Sequence, residues 1–271
     1  MAADIGYETQ LLTLIKSLCY HHRNLKIYLL HKTFPNEWFD CVNKWLQQLN
    51  SKIISANVLW DFSKYKTASH ITETTFYRLA IPYLPEHRVI YLDCDIVING
   101  SLLELMEIPF DGSPLLAVED FVLNNIEHWY PKYPDLKPYF NAGMLVFNIP
   151  LWEQQNISDM LLERLDTEEN YILYADQDLL NSLLCKHWKG ISSIYNFQTD
   201  AIIELSQRRR SMDVVDEKGW LKSQEPIVIH YTGPYKPWKK IIDNTLFREK
   251  YWFYYQLSWQ EIIDRSINLK Q

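Results

Sequence analysis

Apolar residues recur at helical spacing near the start of the chain and then alternate with short apolar runs. Leu11, Leu14, Ile15 and Leu18 lie three or four positions apart, which predicts a helix of about 13 residues. Further helices are predicted over residues 37–49 and 72–84, and strands over 26–30, 52–54, 57–59 and 89–92. Strands that alternate with helices predict an α/β fold with a mainly parallel sheet flanked by helices.

The second half of the chain is less regular. Strands are predicted over residues 115–118, 144–147 and 227–229, and helices over 157–165 and 177–184. Residues 120–140 contain prolines at 131, 134 and 138 and predict a long surface loop of the kind that borders binding sites. Binding residues often lie on loops, and residues 120–140 and 200–222 are both predicted loops.

Composition and charge narrow the class of protein. The 271 residues are 47% hydrophobic and 23% charged, which excludes wholesale disorder, and the net charge of -7 argues against nucleic-acid binding. No apolar run approaches the roughly 20 residues that span a bilayer, and the first apolar stretch lacks the basic leader of a secretory signal. Four scattered cysteines (Cys19, Cys41, Cys94 and Cys185) predict reduced thiols in a cytoplasmic protein.

An acidic pair gives the strongest local signal for chemistry. Asp93 and Asp95 directly follow the apolar run 89–92. Side chains at positions i and i+2 of an extended segment point to the same side, so both carboxylates are predicted to project from the end of a strand, where open α/β sheets bind ligands. Neighbouring carboxylates repel each other unless a cation lies between them. This pair of carboxylates therefore suits a divalent metal ion. The alternative is a turn or a helix cap, since short motifs arise by chance.

Residues 230–238 form a second candidate segment, again after an apolar strand. The imidazole of His230, the backbone around Gly233 and the Lys236 cation together suit a metal-bound diphosphate. A turn with a partly buried histidine and an exposed lysine is the alternative.

A third segment joins a polar residue to two small ones. Asn141 offers both a donor and an acceptor to a hydroxyl group, and Ala142 and Gly143 allow a ligand to approach the backbone closely. The alternative is an ordinary turn that opens a strand.

Two further acidic positions have a functional and a structural interpretation. Asp176 precedes Gln177 at the start of a predicted helix, and a simple helix cap is a strong alternative to a functional role for Asp176. Asp4 is able to accept from the N–H of a base while Tyr7 stacks on the ring, but a plain N-cap explains Asp4 as well.

The order of these segments resembles glycosyltransferase family 8, which contains glycogenin and bacterial α-galactosyl- and α-glucosyltransferases. The matching segments are residues 2–4, 74–79, 91–95, 140–143, 176–178 and 230–238. The resemblance implies a GT-A nucleotide-sugar transferase fold with one Rossmann-like sheet, a catalytic domain over residues 1–240 and a C-terminal helical tail over 241–271. It also implies that the acceptor binds at variable loops such as residues 120–140 and 200–222.

The family motifs also imply roles for individual residues. Asp93, Asp95 and His230 match the metal ligands, Gly233 and Lys236 match the diphosphate site, and Ala3, Asp4 and Tyr7 match contacts to uracil and ribose. The donor-sugar pocket is matched by Arg78, Asp120, Asn141, Ala142, Asp176 and Gln177. Asp120, Asp176 and Gln177 are the catalytic candidates, and Cys94 is counted among the donor contacts.

The implied reaction moves glucose or galactose from a UDP-sugar to a hydroxyl of a glycan acceptor, on a protein, a lipid or a polysaccharide, with retention and an α-linkage. The implied cation is manganese, with magnesium as the alternative. The metal and Lys236 would stabilise the negative charge on the departing UDP. An amide such as Gln177 is a poor nucleophile for double displacement, which favours attack by the acceptor on the face that UDP leaves, with a UDP oxygen as the base.

Two other classes of protein remain open from the residues alone. Asp93 and Asp95 after a strand also fit the nucleophile motif of haloacid-dehalogenase-type phosphatases, although that motif normally opens its domain. The other alternative is a nucleotide-sugar or glycan-binding module without catalysis.

The two ends of the chain carry separate expectations. Family members usually have a short strand before the Ala-Ala-Asp segment, whereas only Met1 precedes it here, so restored upstream residues are predicted to raise thermal stability and UDP affinity. Basic residues beside aromatic ones in residues 236–259 suit a peripheral contact with the inner face of a membrane. A terminal helix packed on the domain, or a contact with another domain or subunit, is the favoured alternative.

Overall fold

Helices and strands alternate through the first half of the chain. The structure is a computed structural model that describes residues 1–63, 65, 73–124, 136–167, 175–199, 225–239 and 245–268. Its helices are α1 (Glu8–His21), α2 (Asn36–Leu46), α3 (Phe121–Asn124), α4 (Ile149–Gln154), α5 (Ile157–Thr167), α6 (Ala175–Leu184), α7 (Arg248–Gln256) and α8 (Trp259–Asn268). Its strands are β1 (Lys26–His31), β2 (Lys52–Asn57), β3 (Arg88–Leu92), β4 (Ile96–Ile98), β5 (Leu115–Glu119), β6 (Phe140–Asn148), β7 (Lys189–Gly190), β8 (Phe197–Gln198) and β9 (Val228–His230).

The N-terminal part contains a parallel strand pair. The apolar stripe predicted for the first helix is buried in α1, at Leu11, Leu14, Ile15 and Leu18. β1 pairs in parallel with β2, and Ala2 forms a further parallel bridge to Leu30 of β1. Two strands were expected at 52–54 and 57–59, but a single strand, β2, covers 52–57, because Ser55 and Asn57 stay in register with Leu29 and His31 of β1 and do not interrupt the pairing.

The larger sheets mix parallel and antiparallel pairs. One has the strand order β3-β6-β5-β7 and the other the order β4-β9-β8. β6 runs antiparallel to β3 and β5, and β4 runs antiparallel to β9, whereas β5–β7 and β8–β9 are parallel. The α/β architecture with flanking helices is as predicted, but the share of parallel pairs is smaller than expected. Eight consecutive buried residues in β6 reveal that both faces of the strand are covered but do not encode its direction.

The segment predicted as a helix over 72–84 is a 3-10 helix, Glu73–Tyr83, with Pro82 inside it. Proline has no backbone N–H and clashes with a preceding carbonyl in an α-helix, so an α-helix over this whole segment is disfavoured. The segment still buries Phe76, Leu79 and the long side chain of Arg78. It therefore brings a cation into the interior beside the end of β3.

The C-terminal helices pack on α1. Tyr251 and Tyr254 of α7 and Ile262 of α8 are buried, and the hydroxyl of Tyr254 lies 2.9 Å from His21 Nε2. The guanidinium of Arg265 lies over the ring of Tyr20 at 4.1 Å. These contacts do not support the predicted contact of the tail with a membrane or another domain. Within the described part of the chain, no helix is long and apolar enough to cross a membrane.

The loops expected to hold the acceptor lie largely outside the described residues. Residues 125–135 and 200–224 fall there, whereas 121–124 form the short helix α3.

Candidate active site

Three strand ends bring Asp93, Asp95 and His230 together. Asp93 follows β3, Asp95 precedes β4, and His230 ends β9, whose antiparallel register pairs it with Ile96. Each of the three residues offers a ligand atom, and these atoms all lie within 4.8 Å of one another. The carboxylates converge through a turn between β3 and β4 rather than along the extended segment that the sequence predicts.

An imidazole and an ammonium group flank Asp95. Its Oδ1 lies 3.2 Å from His230 Nε2, and its Oδ2 accepts a hydrogen bond from Lys236 Nζ at 2.6 Å. Lys236 Nζ also donates to the carbonyl of Tyr231. Burial disfavours the charged carboxylate, but the Lys236 ammonium outweighs it and holds the pKa of Asp95 well below its usual range. Asp95 is therefore an ionised ligand at neutral pH.

Asp93 is held through one oxygen. Its Oδ1 accepts hydrogen bonds from the hydroxyl of Tyr91 at 2.6 Å and from Arg78 Nη2 at 2.9 Å. The ring of Tyr91 lies under the Arg78 guanidinium, 4.5 Å from it, so the same two residues also contact each other. The Asp93 carboxylate is thereby oriented beside Asp95, and its side chain remains 28% exposed.

Arg78 links the acidic pair to a third carboxylate, Asp176. Its Nε lies 2.7 Å from Asp176 Oδ2, while the Nε–H donates to the carbonyl of Thr75 at 3.1 Å. Thr75 Oγ1 donates to the other Asp176 oxygen. Asp176 Oδ2 is buried and receives no hydrogen bond from the described residues, although it is close to the Arg78 charge. Burial raises the pKa of Asp176 to about 6, against the lowering effects of Arg78 and Thr75.

A hydrogen-bonded amide network surrounds Asp120. Its Oδ2 accepts from Asn141 Nδ2 at 3.2 Å and from Gln177 Nε2 at 3.1 Å, and its Oδ1 accepts from the N–H of Leu123 at 2.9 Å. Gln177 Oε1 accepts from the N–H of Ala142 at 2.9 Å, so both ends of this amide are occupied. Burial raises the pKa of Asp120 despite these hydrogen bonds.

Helix α6 orders the start of β6, where Asn141 and Ala142 lie. Asn181 of α6 accepts from the N–H of Phe140 and donates to its carbonyl, both at 2.8 Å, as a neighbouring strand would. The register between β5 and β6 shifts between Ala117 and Val118, close to this point. A register shift of this kind changes the direction of side chains beside an active site. Here the side chain of Asn181 makes the hydrogen bonds to Phe140 that a neighbouring strand would make.

The ring of His230 fills the space beside Gly143. A Cβ atom on Gly143 would overlap this ring, so the close approach that the sequence suggests for a ligand is used by the imidazole itself. His230 Nδ1 lies 2.9 Å from Asn196 Oδ1. Asn196 has no signal in the sequence, because it lies in an irregular segment far from any motif.

The N-terminal segment lies against the acidic pair. Cys94 is buried, and its Sγ donates to the carbonyl of Ala2 at 3.3 Å, next to the buried Ala3. Asp4 Oδ1 accepts from the N–H of Gly6 at 2.8 Å, which is the N-cap that the sequence allowed as an alternative. Tyr7 is half-exposed; burial raises the pKa of its hydroxyl, and the nearby Asp95 raises it further.

The loop after β9 needs a glycine. Gly233 has a φ of +67°, a conformation that residues with a side chain rarely adopt. This turn returns the chain so that Lys236 reaches Asp95. Nearly all of the site residues predicted from the sequence thus lie in one connected region, from Ala2 and Ala3 through Cys94 and the acidic pair to Asp120 and Gln177.

Comparison with known proteins agrees with this arrangement. A family model described as glycosyl transferase family 8 matches residues 1–242. Glycosyltransferase GlyB of Streptococcus pneumoniae serotype 4 (strain TIGR4) is 34% identical over 269 residues, which cover 97% of this chain and 63% of GlyB. The chain spans between 31% and 63% of the length of its curated streptococcal relatives.

Solved structures share the fold. The crystal structure of GlyE from Streptococcus pneumoniae TIGR4 has a TM-score of 0.80 at 27% identity, and the match covers 99% of this chain and 63% of that one. The galactosyltransferase LgtC, solved in complex with donor and acceptor sugar analogs, also has a TM-score of 0.80, at 23% identity over 96% of this chain and 98% of its own. Together with the family match, these likenesses show a GT-A fold, and the chain belongs to glycosyl transferase family 8.

Proposed function

We propose that this chain transfers a hexose from a UDP-sugar to a hydroxyl of a glycan acceptor, with retention of configuration and with a divalent cation. The observation that carries the proposal is the convergence of ligand atoms from Asp93, Asp95 and His230 within 4.8 Å. Membership of family 8 supports the transfer reaction and leaves the phosphatase interpretation of the acidic pair without support.

The donor set fits a divalent cation. Asp95 Oδ1 and His230 Nε2 lie 3.2 Å apart, and a cation bound to both would balance two neighbouring carboxylates. Two carboxylates and one imidazole form a mixed oxygen and nitrogen set, which suits manganese better than magnesium. When bound, the cation would neutralise charge on the departing diphosphate.

Lys236 is the second group proposed for the diphosphate. Its ammonium lies 2.6 Å from Asp95 Oδ2 and is therefore beside the proposed cation site. A lysine in this position stabilises charge that develops on the leaving group. Gly233 shapes the turn that carries Lys236. Ala3, Asp4 and Tyr7 are proposed to bind the uridine, and the charges of both Asp95 and Lys236 act on the Tyr7 hydroxyl.

The sugar pocket is proposed around Asp176 and Asp120. Asp176 Oδ2 is a buried carboxylate oxygen to which no described residue donates, so it is available to accept from a sugar hydroxyl. Asn141, Ala142 and Gln177 belong to the hydrogen-bonded frame on the Asp120 side. Together these groups orient the hexose. The two carboxylates place negative charge near the sugar ring, which becomes positive when its bond to the diphosphate breaks.

We infer that the acceptor attacks on the face that UDP leaves, and that a UDP oxygen takes the proton of the acceptor. Gln177 is neutral, and both ends of its amide are already hydrogen-bonded, to Ala142 and to Asp120. A double displacement requires a free nucleophile below the ring, which this amide does not provide. Mass spectrometry of enzyme trapped during turnover should find no sugar on Asp176 or Gln177, and a covalent adduct there would contradict this step.

The experiment that tests the function measures UDP released from a panel of UDP-hexoses with and without Mn²⁺. We expect Mn²⁺-dependent release from UDP-glucose or UDP-galactose, even without acceptor, and a loss of this activity in Asp93→Asn and Asp95→Asn. Asp111→Asn is the matched control, because that carboxylate pairs with Lys189 on the surface. Donor binding without any release would instead indicate a binding module.

A further inference from the structure

Asn196 lies between His230 and the amide network around Asp120. It follows the short 3-10 helix Ser193–Tyr195 and precedes β8, and its N–H donates to the carbonyl of Ser193 at 3.1 Å. Its side chain is fully buried. A buried amide that is hydrogen-bonded at both ends has one orientation, because reversing it would leave two buried polar groups unsatisfied.

The direction of each bond follows from a backbone group. The N–H of Gly143 can only donate, and it donates to Asn141 Oδ1 at 3.0 Å. The same oxygen accepts from Asn196 Nδ2 at 2.9 Å, so Asn196 Oδ1 must point the other way, where it lies 2.9 Å from His230 Nδ1. An amide oxygen cannot donate, and the proton of this bond therefore belongs to Nδ1.

We propose that Asn196 is a positioning residue that holds His230 in the tautomer with its proton on Nδ1, so that the lone pair of Nε2 faces Asp95 and the cation site. The use of this lone pair by a cation rests on the proposed function. Metal-binding histidines commonly carry such a partner on the second ring nitrogen, which fixes the tautomer and the ring orientation.

The same bonds join the cation site to the sugar pocket. From His230 through Asn196 and Asn141 to Asp120, every group donates in the same direction, and Asp120 also accepts from Gln177. The Gly143 backbone closes against the imidazole ring and prevents it from moving toward β6. Asn196 is thus the one side chain in this path that touches both His230 and Asn141.

Two variants separate the two bonds of Asn196. Asn196→Ala removes both of them. Asn196→Asp retains an acceptor for His230 Nδ1 but places an oxygen against Asn141 Oδ1. Asn43→Ala is the control for stability, because Asn43 also makes two hydrogen bonds, at 3.0 and 2.8 Å, to the backbone of Ile53, away from the site.

The test uses the full chain, labelled with ¹⁵N-histidine and free of metal, at about pH 8, above the ordinary histidine pKa of about 6.5. Long-range ¹H–¹⁵N spectra, with His230→Gln to assign the signal, should show the Nδ1–H tautomer in the unmodified chain, in Asn43→Ala and in Asn196→Asp. Asn196→Ala should shift His230 toward the Nε2–H form, which can donate to Asp95. Mn²⁺ titration followed by water-proton relaxation should show about 10- to 100-fold weaker binding in Asn196→Ala, and tighter binding in Asn196→Asp than in Asn196→Ala.

The proposal is overturned if the unmodified chain holds His230 as Nε2–H, or if Asn196→Ala leaves the Nδ1–H form unchanged. Failure of the unmodified chain to bind Mn²⁺ would contradict the proposed cation but not the tautomer, which the metal-free spectra decide by themselves.

Discussion

Arg78 Nε lies 2.7 Å from Asp176 Oδ2, and both side chains are only 5% exposed. The same guanidinium donates to Asp93 Oδ1 at 2.9 Å, so one buried cation is shared between the proposed sugar pocket and the proposed metal site. Burying two charges costs free energy that is recovered only if both are paired and hydrogen-bonded. Removing either partner should therefore lower the free energy of unfolding far more than removing one partner of an ion pair on the surface.

The first prediction concerns the stability of this pair. Arg78→Met should lower the free energy of unfolding by about 3–5 kcal/mol, because Asp176 then remains buried without its partner. The double variant Arg78→Met/Asp176→Asn should recover part of that loss. Urea unfolding of the two single variants and the double variant measures the coupling, and strictly additive losses would show that the pair does not interact.

The second prediction is a pH dependence. Burial raises the pKa of Asp176 to about 6 in the folded chain, above its ordinary value of 3.8. The folded state therefore holds this proton more tightly, and the resulting stabilisation is fully present below about pH 4 and is lost as the pH rises through about 6. A shift of about two pKa units corresponds to about 3 kcal/mol.

Unfolding free energies of the unmodified chain and Asp176→Asn, measured from pH 4 to 7, should show the unmodified chain losing stability relative to the variant as the pH rises. Asp159→Asn, at an exposed carboxylate of α5, is the control. A difference that grows in favour of the unmodified chain toward pH 7 would mean that Asp176 is charged and favourably paired throughout.

The third prediction concerns Gly143. A Cβ there would overlap the ring of His230, so Gly143→Ala should displace the imidazole. The loss of Mn²⁺-dependent UDP release should then be larger than the loss of thermal stability, each taken as a fraction of the value for the unmodified chain. Gly190→Ala is the matched strand control, since its Cβ would meet the Trp188 ring at an ordinary 3.7 Å. Equal activity of the two variants would show that His230 tolerates displacement.

The fourth prediction separates two neighbouring lysines. Lys236→Met should lower kcat for UDP release by about 10²-fold, the usual loss when one group that stabilises developing charge is removed. Lys239→Met should have little effect, because Lys239 is exposed and its Nζ lies 3.5 Å from the carbonyl of Pro234. Steady-state kinetics of both variants measure the difference, and similar losses would argue for a general effect of charge on this loop.

The site was predictable from the sequence where it follows regular elements. Asp93, Asp95 and His230 adjoin short apolar strands, so the pattern that locates the strands also locates these residues. Asn196 was missed because it follows a 3-10 helix and lies 34 residues before its partner in the chain. Tyr91 lies in the apolar run 89–92, and that run gives no sign that the Tyr91 hydroxyl orients Asp93.

Strand direction was the part of the fold that the pattern could not provide. The buried run of β6 looks the same whether its neighbours are parallel or antiparallel, and its pairing with β3 and β5 is set by contacts distant in sequence. The 3-10 character of Glu73–Tyr83 was likewise hidden, because helical spacing of apolar residues does not separate the two kinds of helix.

The most direct test of the proposed cation site is anomalous diffraction at the manganese edge from crystals soaked with Mn²⁺ and UDP. We expect one strong peak bound by Asp93, Asp95 and His230 Nε2, with the diphosphate on its open side and Lys236 beside it. A peak elsewhere, or these three side chains too far apart to share one ion when UDP is bound, would contradict it.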